Sequence, residues 1–265
     1  MQHRPRKRFS QNFLVDRHTI ERIVAAIDPK RGERLVEIGP GRGALTRPLL
    51  ERVDCLTVIE IDRDLAEALR AAHPPSRLTV IAADALTVDL AALGEGLALR
   101  VVGNLPYHIS SPLLFHCAQH VRHIADLHFM LQAEVVDRMA AAPGTPEYGR
   151  LSVSLQSVFA VEKLFGVPAG AFQPVPAVES AVVRLTPLGA ARPAIRDQGV
   201  FEAIVAAGFG QRRKTLRNAL QKHIGAAALL RLGVDPGARA ETLPVAVFAT
   251  IANAVALAQE SSPES

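Results

Sequence analysis

Two hydrophobic rhythms divide the chain. Up to about residue 185, short apolar runs alternate with stretches whose apolar residues recur at helical spacing, and from about residue 199 only the helical rhythm remains. Ile20, Ile23, Val24 and Ile27 mark a first helix, with Asp16 as its cap and Pro29 as its stop. The alternation then predicts a strand at 35–38, a helix at 44–52, a strand at 56–61, a helix at 65–72 and a strand at 78–82. Apolar runs at 99–102 and 127–131 continue the series, and Ser111-Pro112 opens a helix between them, because proline fits the first helical turn. Alternation of this kind builds an α/β domain, a parallel sheet covered by helices on both faces. A helix at 150–158 follows, and strands at 161–165 and 181–185 are expected to pair at the sheet's edge.

The segment Pro187-Leu188-Gly189-Ala190-Ala191-Arg192-Pro193 reads as a linker. Helical patterns at 200–209, 214–223, 226–232 and 245–258 predict a small all-helical domain beyond it. The expected organisation is a catalytic domain at 1–187, a helical domain at 194–260 and a disordered tail at 261–265. Composition narrows the class. Apolar residues make up 49% of the 265, enough for a substantial core, with no run near the ~18 residues of a membrane span. Cys55 and Cys117 offer neither a disulfide framework nor metal-ligand spacing, so a cytoplasmic protein is expected. Net charge is only +4, so any surface for a polyanion must come from clustering. Arg6, Lys7 and Arg8 form such a cluster with Arg4 near the start, and Arg212, Arg213, Lys214 and Arg217 form another in the helical part.

Directly after the first strand of the alternating series stands Glu37-Ile38-Gly39-Pro40-Gly41-Arg42-Gly43. Glycines there tighten the turn and let bare backbone approach a ligand, and the helix that follows offers free N–H groups. The next strand ends at Glu60, about 20 positions on, where a carboxylate suits ribose hydroxyls. A dinucleotide oxidoreductase and a methyltransferase both fit so far. The G-x-G-x-G spacing, in place of G-x-G-x-x-G, favours S-adenosylmethionine, with Gly39, Gly41 and Glu60 as contacts. Asp84, at the end of the third strand of the series, is either an acceptor for adenine's amine or a helix cap.

The fourth strand of the series runs into Asn104-Leu105-Pro106-Tyr107. An exocyclic amine on adenine is a poor nucleophile, because its lone pair is delocalised into the ring. The Asn104 side-chain oxygen and the Leu105 carbonyl can each accept one amine hydrogen and turn the lone pair toward a methyl donor. Pro106 stiffens the turn, and Tyr107 offers a face on which an extruded base stacks. His116, His120, His123 and His128 have no carboxylate or cysteine at ligand spacing, so no metal is expected.

This tetrapeptide resembles the NPPY/NLPY motif of N6-amino methyltransferases, and the whole chain resembles the ribosomal RNA small-subunit adenine N6,N6-dimethyltransferases, the KsgA/RsmA group. The likeness also rests on Gln11-Asn12-Phe13-Leu14, on 37–46, on Phe172-Gln173-Pro174-Val175-Pro176, and on Gln211-Arg212-Arg213-Lys214-Thr215 with Arg217-Asn218. It implies a Rossmann-like class I methyltransferase domain with a mostly parallel seven-stranded sheet. It also implies Asn12, Leu14, Gly39, Glu60, Asp84 and Asn104 as contacts of S-adenosyl-L-methionine, and Phe172 as the aromatic opposite Tyr107 across the target base. The implied reaction is dimethylation of two adjacent adenosines near the 3′ end of 16S rRNA, within an immature small subunit and by a monomer. Ser10, His108 and Ala177 depart from the usual Gly, Asn and Lys, and the missing Lys shifts phosphate binding to other basic residues.

Overall fold

A computed structural model of the protein describes residues 12–106, 109–211 and 213–260. The strands are β1 (Phe13–Leu14), β2 (Arg34–Ile38), β3 (Leu56–Ile59), β4 (Leu78–Ile81), β5 (Leu99–Asn104), β6 (Ile124–Gln132), β7 (Phe159–Val167), β8 (Phe172–Gln173) and β9 (Ser180–Pro187). Seven of them form one sheet in the order β4-β3-β2-β5-β6-β9-β7, and β1 pairs with β8 in a separate two-stranded piece. The pairs β4/β3, β3/β2, β2/β5 and β5/β6 are parallel, and β9 runs antiparallel to β6. This is the expected mostly parallel seven-stranded sheet. Its central strands are covered on both faces, so they read as unbroken apolar runs: Leu35, Val36 and Ile38 on β2 and Leu99, Val101 and Val102 on β5 are all buried.

The chain leaves β2 for β3 and β4 on one side, then returns to place β5 on the other. That reversal opens a crevice at the carboxyl ends of β2 and β5, where open α/β sheets bind ligands. Local chemistry sets the element ends. The Asp16 carboxylate caps helix Arg17–Ile27 by accepting the Thr19 N–H at 2.7 Å, and Asp28 closes it in the left-handed conformation before Pro29. Asp62 caps helix Arg63–Ala72 by accepting from the Asp64 amide. Helix Thr46–Leu50 is shorter than the expected 44–52, because residues 40–45 are spent on the glycine turn.

The described residues fall into two compact units, one ending at Val136 and resuming over Ala160–Pro187, the other made of Asp137–Phe159 and the chain from Leu188 on. The sequence places 137–159 with the sheet; the structure places it with the helices. The reason is packing. Tyr148 and Val153 belong to the same buried cluster as Phe201, Ile204, Leu216 and Phe248, and the Tyr148 hydroxyl donates to the Leu243 carbonyl at 2.9 Å. The helices of this unit include Gln198–Phe209, Ala226–Arg231 and Val245–Glu260, while the expected 214–223 helix is a single turn, Leu216–Ala219. Among the described residues no helix is long and apolar enough to cross a membrane.

Candidate active site

The crevice is a cavity of about 1000 Å³ built wholly from the sheet unit. That volume reaches the upper end of the usual range for small-molecule sites. Its floor begins where β2 ends. Gly39, Gly41 and Gly43 all adopt positive φ, which side chains rarely tolerate, so the 39–43 turn presents bare backbone to the cavity. The Gly39 amide donates to the Ile59 carbonyl at 2.9 Å, tying the turn to the end of β3.

Glu60 follows β3, nearly buried at 4% exposure yet lining the cavity. Its Oε2 accepts the Gly41 amide at 3.1 Å and its Oε1 accepts the Asp62 amide at 2.9 Å. Burial raises the Glu60 pKa above the ordinary carboxylate value, and the backbone N–H groups of Asp62, Gly41 and Ile61 oppose that shift. A carboxylate has about four lone-pair positions, so these backbone donors still leave Glu60 able to accept from a hydroxyl in the cavity. Ile61 beside it is 49% exposed and also lines the cavity, an apolar face next to the carboxylate. Sequence patterning reads Ile61 as a strand residue, because nothing in its type distinguishes a ligand face from a core face. Deeper in, Glu37 is 2% exposed, accepts the Thr46 hydroxyl at 2.6 Å, and is pushed up to about 8 by burial, with the nearby Glu60 charge adding to the effect.

Asp84 is a cap, the second of the two readings the sequence leaves open, and it also borders the cavity. Its Oδ1 accepts the Leu86 amide at 3.0 Å at the start of the short turn Ala85–Thr87. The 104–106 turn is held from several sides. The Leu105 amide donates to the Met130 carbonyl at 3.1 Å, the Leu105 side chain is buried, and Pro106 O accepts from the Ser110 hydroxyl at 3.2 Å and the Ile109 amide at 3.2 Å. Asn104 Nδ2 donates to the Asn12 carbonyl at 3.3 Å, which leaves Asn104 Oδ1 as the acceptor of that side chain.

Residues 12–15 form a strap over the cavity. Leu14 faces Phe172 in the β1/β8 pairing, and Val15 and Asp16 both donate to the Ala171 carbonyl. Asn12, Leu14, Phe172, Asn104, Leu105 and Pro106 therefore share one cavity with Gly39, Gly41, Glu60 and Asp84. Phe172 is 3% exposed and packs within the sheet unit's core cluster while bordering the cavity. Tyr107 lies outside the described residues, as do Arg6, Lys7, Arg8 and Arg212. Arg213, Lys214 and Arg217 are exposed in the helical unit and take no part in this cavity. His116 is engaged by the Val88 carbonyl at 2.9 Å and packs edge-on against His120, while buried His128 meets Asp126. No group of three or more His, Cys, Asp or Glu residues is placed to hold a metal among the described residues.

A family model described as ribosomal RNA adenine dimethylase matches residues 2–257. Ribosomal RNA small subunit methyltransferase A of Aromatoleum aromaticum is 54% identical over 255 residues, 96% of each chain. Its counterpart in Xanthomonas campestris is 56% identical over 249 residues, 94% of this chain and 95% of that relative. Among solved structures, the 23S rRNA methyltransferase ErmE is 28% identical, with a TM-score of 0.71 over 92% of this chain and 100% of that one. A dimethyladenosine transferase from Plasmodium falciparum, 23% identical, shares the fold at a TM-score of 0.78 over 90% and 95% of the two chains. The agreement runs from the strap through the cavity into the helical unit, and the chain belongs to the ribosomal RNA adenine dimethylase family.

Proposed function

We propose that the protein dimethylates adenine N6 at two adjacent adenosines in a loop near the 3′ end of 16S ribosomal RNA, with S-adenosyl-L-methionine as donor. The observation that carries this reading is the pinned 104–106 turn, which borders one cavity with the 39–43 glycine turn and Glu60. Similarity supports the small subunit over the large. Relatives named for the small-subunit rRNA are 54% and 56% identical, against 28% for the enzyme named for 23S rRNA.

The residues fit the donor. Gly39 has positive φ, and a Cβ there would approach only the Asn104 carbonyl, at 3.8 Å, so its bare backbone can lie against a ligand. Glu60 is a buried acceptor suited to ribose hydroxyls, Ile61 gives an apolar face for a purine, and Asp84 can accept an exocyclic amine. Asn12, Leu14, Gly41 and Asn104 complete the set that would hold it. When bound, adenosylmethionine supplies a methyl group activated on a sulfonium.

The chain's own residues orient the nucleophile. Asn104 Oδ1 and the Leu105 carbonyl accept the two N6 hydrogens, so the nitrogen's lone pair leaves conjugation and faces the donor side of the cavity. Phe172 and Tyr107 hold the base from its two faces. After one transfer a single N6 hydrogen remains, so the second transfer requires the amine to rotate and satisfy one acceptor only. Exposed Arg213, Lys214 and Arg217, with Arg212 and the Arg6, Lys7 and Arg8 arm, hold RNA phosphates. The reading carries a cytoplasmic site of action, an immature small subunit as partner and a monomeric enzyme. The test is mass-spectrometric mapping of N6,N6-dimethyladenosine in small-subunit rRNA after incubating immature subunits with donor and protein. Absence of the modified base with wild type rejects the assignment.

A further inference from the structure

The strap over the cavity is held by little backbone. The β1/β8 ladder has two residue pairs, Phe13 with Gln173 and Leu14 with Phe172, and the Val15 and Asp16 amides, both on Ala171, extend it. Ladders this short are marginal on their own. Side-chain contacts at Phe13 make up the difference. Phe13 is 8% exposed, and its ring rests against the backbone of Gly41 so closely that a Cβ there would sit 3.2 Å from Cδ1 and Cε1. The Arg42 guanidinium covers the same ring, its Cζ 4.3 Å from the ring centroid. A guanidinium within about 6 Å of an aromatic face is attracted by the ring's quadrupole.

Asn12, at the other end of the strap, supplies the carbonyl that receives Asn104 Nδ2. That bond decides which way the Asn104 carboxamide faces. With the strap closed, the amide hydrogens turn to Asn12 and Oδ1 is left for the substrate amine; with it open, the carboxamide loses its orienting partner.

We infer that Arg42 is a positioning residue: by clasping Phe13 against Gly41 it latches the 12–15 strap, and the latched strap both retains the donor and sets the orientation of Asn104. The inference rests on the proposed methyl transfer for its purpose, but the latch itself is a property of the free protein. Arg42, which also borders the cavity, then acts on chemistry through Phe13 and Asn12.

The test compares wild type, Arg42→Ala, Arg42→Lys and Phe13→Leu by two measurements, amide hydrogen exchange on the free protein and stopped-flow dissociation of adenosylmethionine. The latch predicts that Arg42→Ala speeds exchange at the Val15 and Asp16 amides and donor dissociation together, by about 2- to 30-fold, the range set by a cation–π contact. Amides of β2, β5 and β6 should be unchanged. Arg42→Lys, which keeps a cation, should fall between wild type and Arg42→Ala. Phe13→Leu should reproduce the Ala effect, and adding Arg42→Ala to it should do nothing further. Unchanged strap exchange in Arg42→Ala overturns the latch, whether affinity is also unchanged or drops through a direct contact with the donor. If wild type fails to bind adenosylmethionine, the proposed function falls, while the exchange comparison still decides the latch.

Discussion

Asn104 is the residue on which the proposed chemistry turns, because it supplies one of the two oxygens that meet the amine. Replacing it with Ala removes that acceptor and the bond to Asn12 while leaving the Leu105 and Pro106 anchors to Met130, Ile109 and Ser110 in place. Losing one preorganised hydrogen-bonding group of this kind costs about 100- to 1000-fold in turnover. Transfer of labelled methyl groups to immature subunits by Asn104→Ala should fall by that factor, and undiminished incorporation would refute the mechanism. Glu37 poses a different question, that of stability. Its folded-state pKa is pushed from the ordinary 4.5 to about 8, mainly by burial, so the folded protein keeps a proton that the unfolded chain releases. Stability from this group is therefore complete below about pH 4.5 and lost as pH rises through about 8. Glu37→Gln keeps a neutral hydrogen-bonding group beside Thr46. Its melting temperature, relative to wild type, should rise steadily between pH 5 and pH 8.5, and parallel pH profiles for the two proteins would contradict the assignment. The places of Glu60 and Asn104 beside the cavity, and hence the roles proposed for them, follow from residue type and position. That of Ile61 does not, since an exposed and a buried isoleucine after a strand look alike.

At the scale of elements, the site depends on how closely β5 approaches β2. A Cβ on Gly103 would lie 2.4 Å from the Ile38 carbonyl oxygen and 3.2 Å from Leu105 Cδ2. The first obstacle is backbone in the middle of the sheet and cannot swing aside. Gly103→Ala should therefore cost about 2–3 kcal/mol as overpacking, lowering the melting temperature of the sheet unit by roughly 5–10 °C. It should also reduce methyl transfer by shifting Asn104, and a variant with wild-type melting would show that the strands can separate freely. The opposite end of the same strand carries Arg100, which pairs with Glu33 at 2.7 Å and Asp126 at 3.0 Å and also donates to the Ile27 carbonyl. Arg100→Met strands two carboxylates in a half-buried setting and should destabilise by about 2–4 kcal/mol, measured by urea denaturation. Most strands and helices are visible in the hydrophobic rhythm, but β1 and β8 are not. Two residues each are too few for a period, and their pairing joins positions near 13 and 172.

For the whole molecule, the prediction concerns charge and RNA. If Arg213, Lys214 and Arg217 neutralise phosphates, replacing all three with Ala should weaken RNA binding at every salt concentration. It should also flatten the plot of log affinity against log salt by about two units, at ~0.7 for each phosphate no longer neutralised. An unchanged slope, with methyl transfer intact, would remove the helical unit from RNA recognition. The chain by itself determines the change of hydrophobic rhythm near residue 187, the α/β order, the glycine turn with its distant carboxylate and the Asn-Leu-Pro-Tyr signature, because each is written in local spacing and residue type. Tertiary structure alone decides that 137–159 joins the helical unit, since Tyr148 and Val153 find their apolar partners there, and that the strap near the start of the chain closes on β8 and on Asn104. Those outcomes depend on contacts between residues far apart in sequence. No local pattern encodes which buried surface will be offered to which.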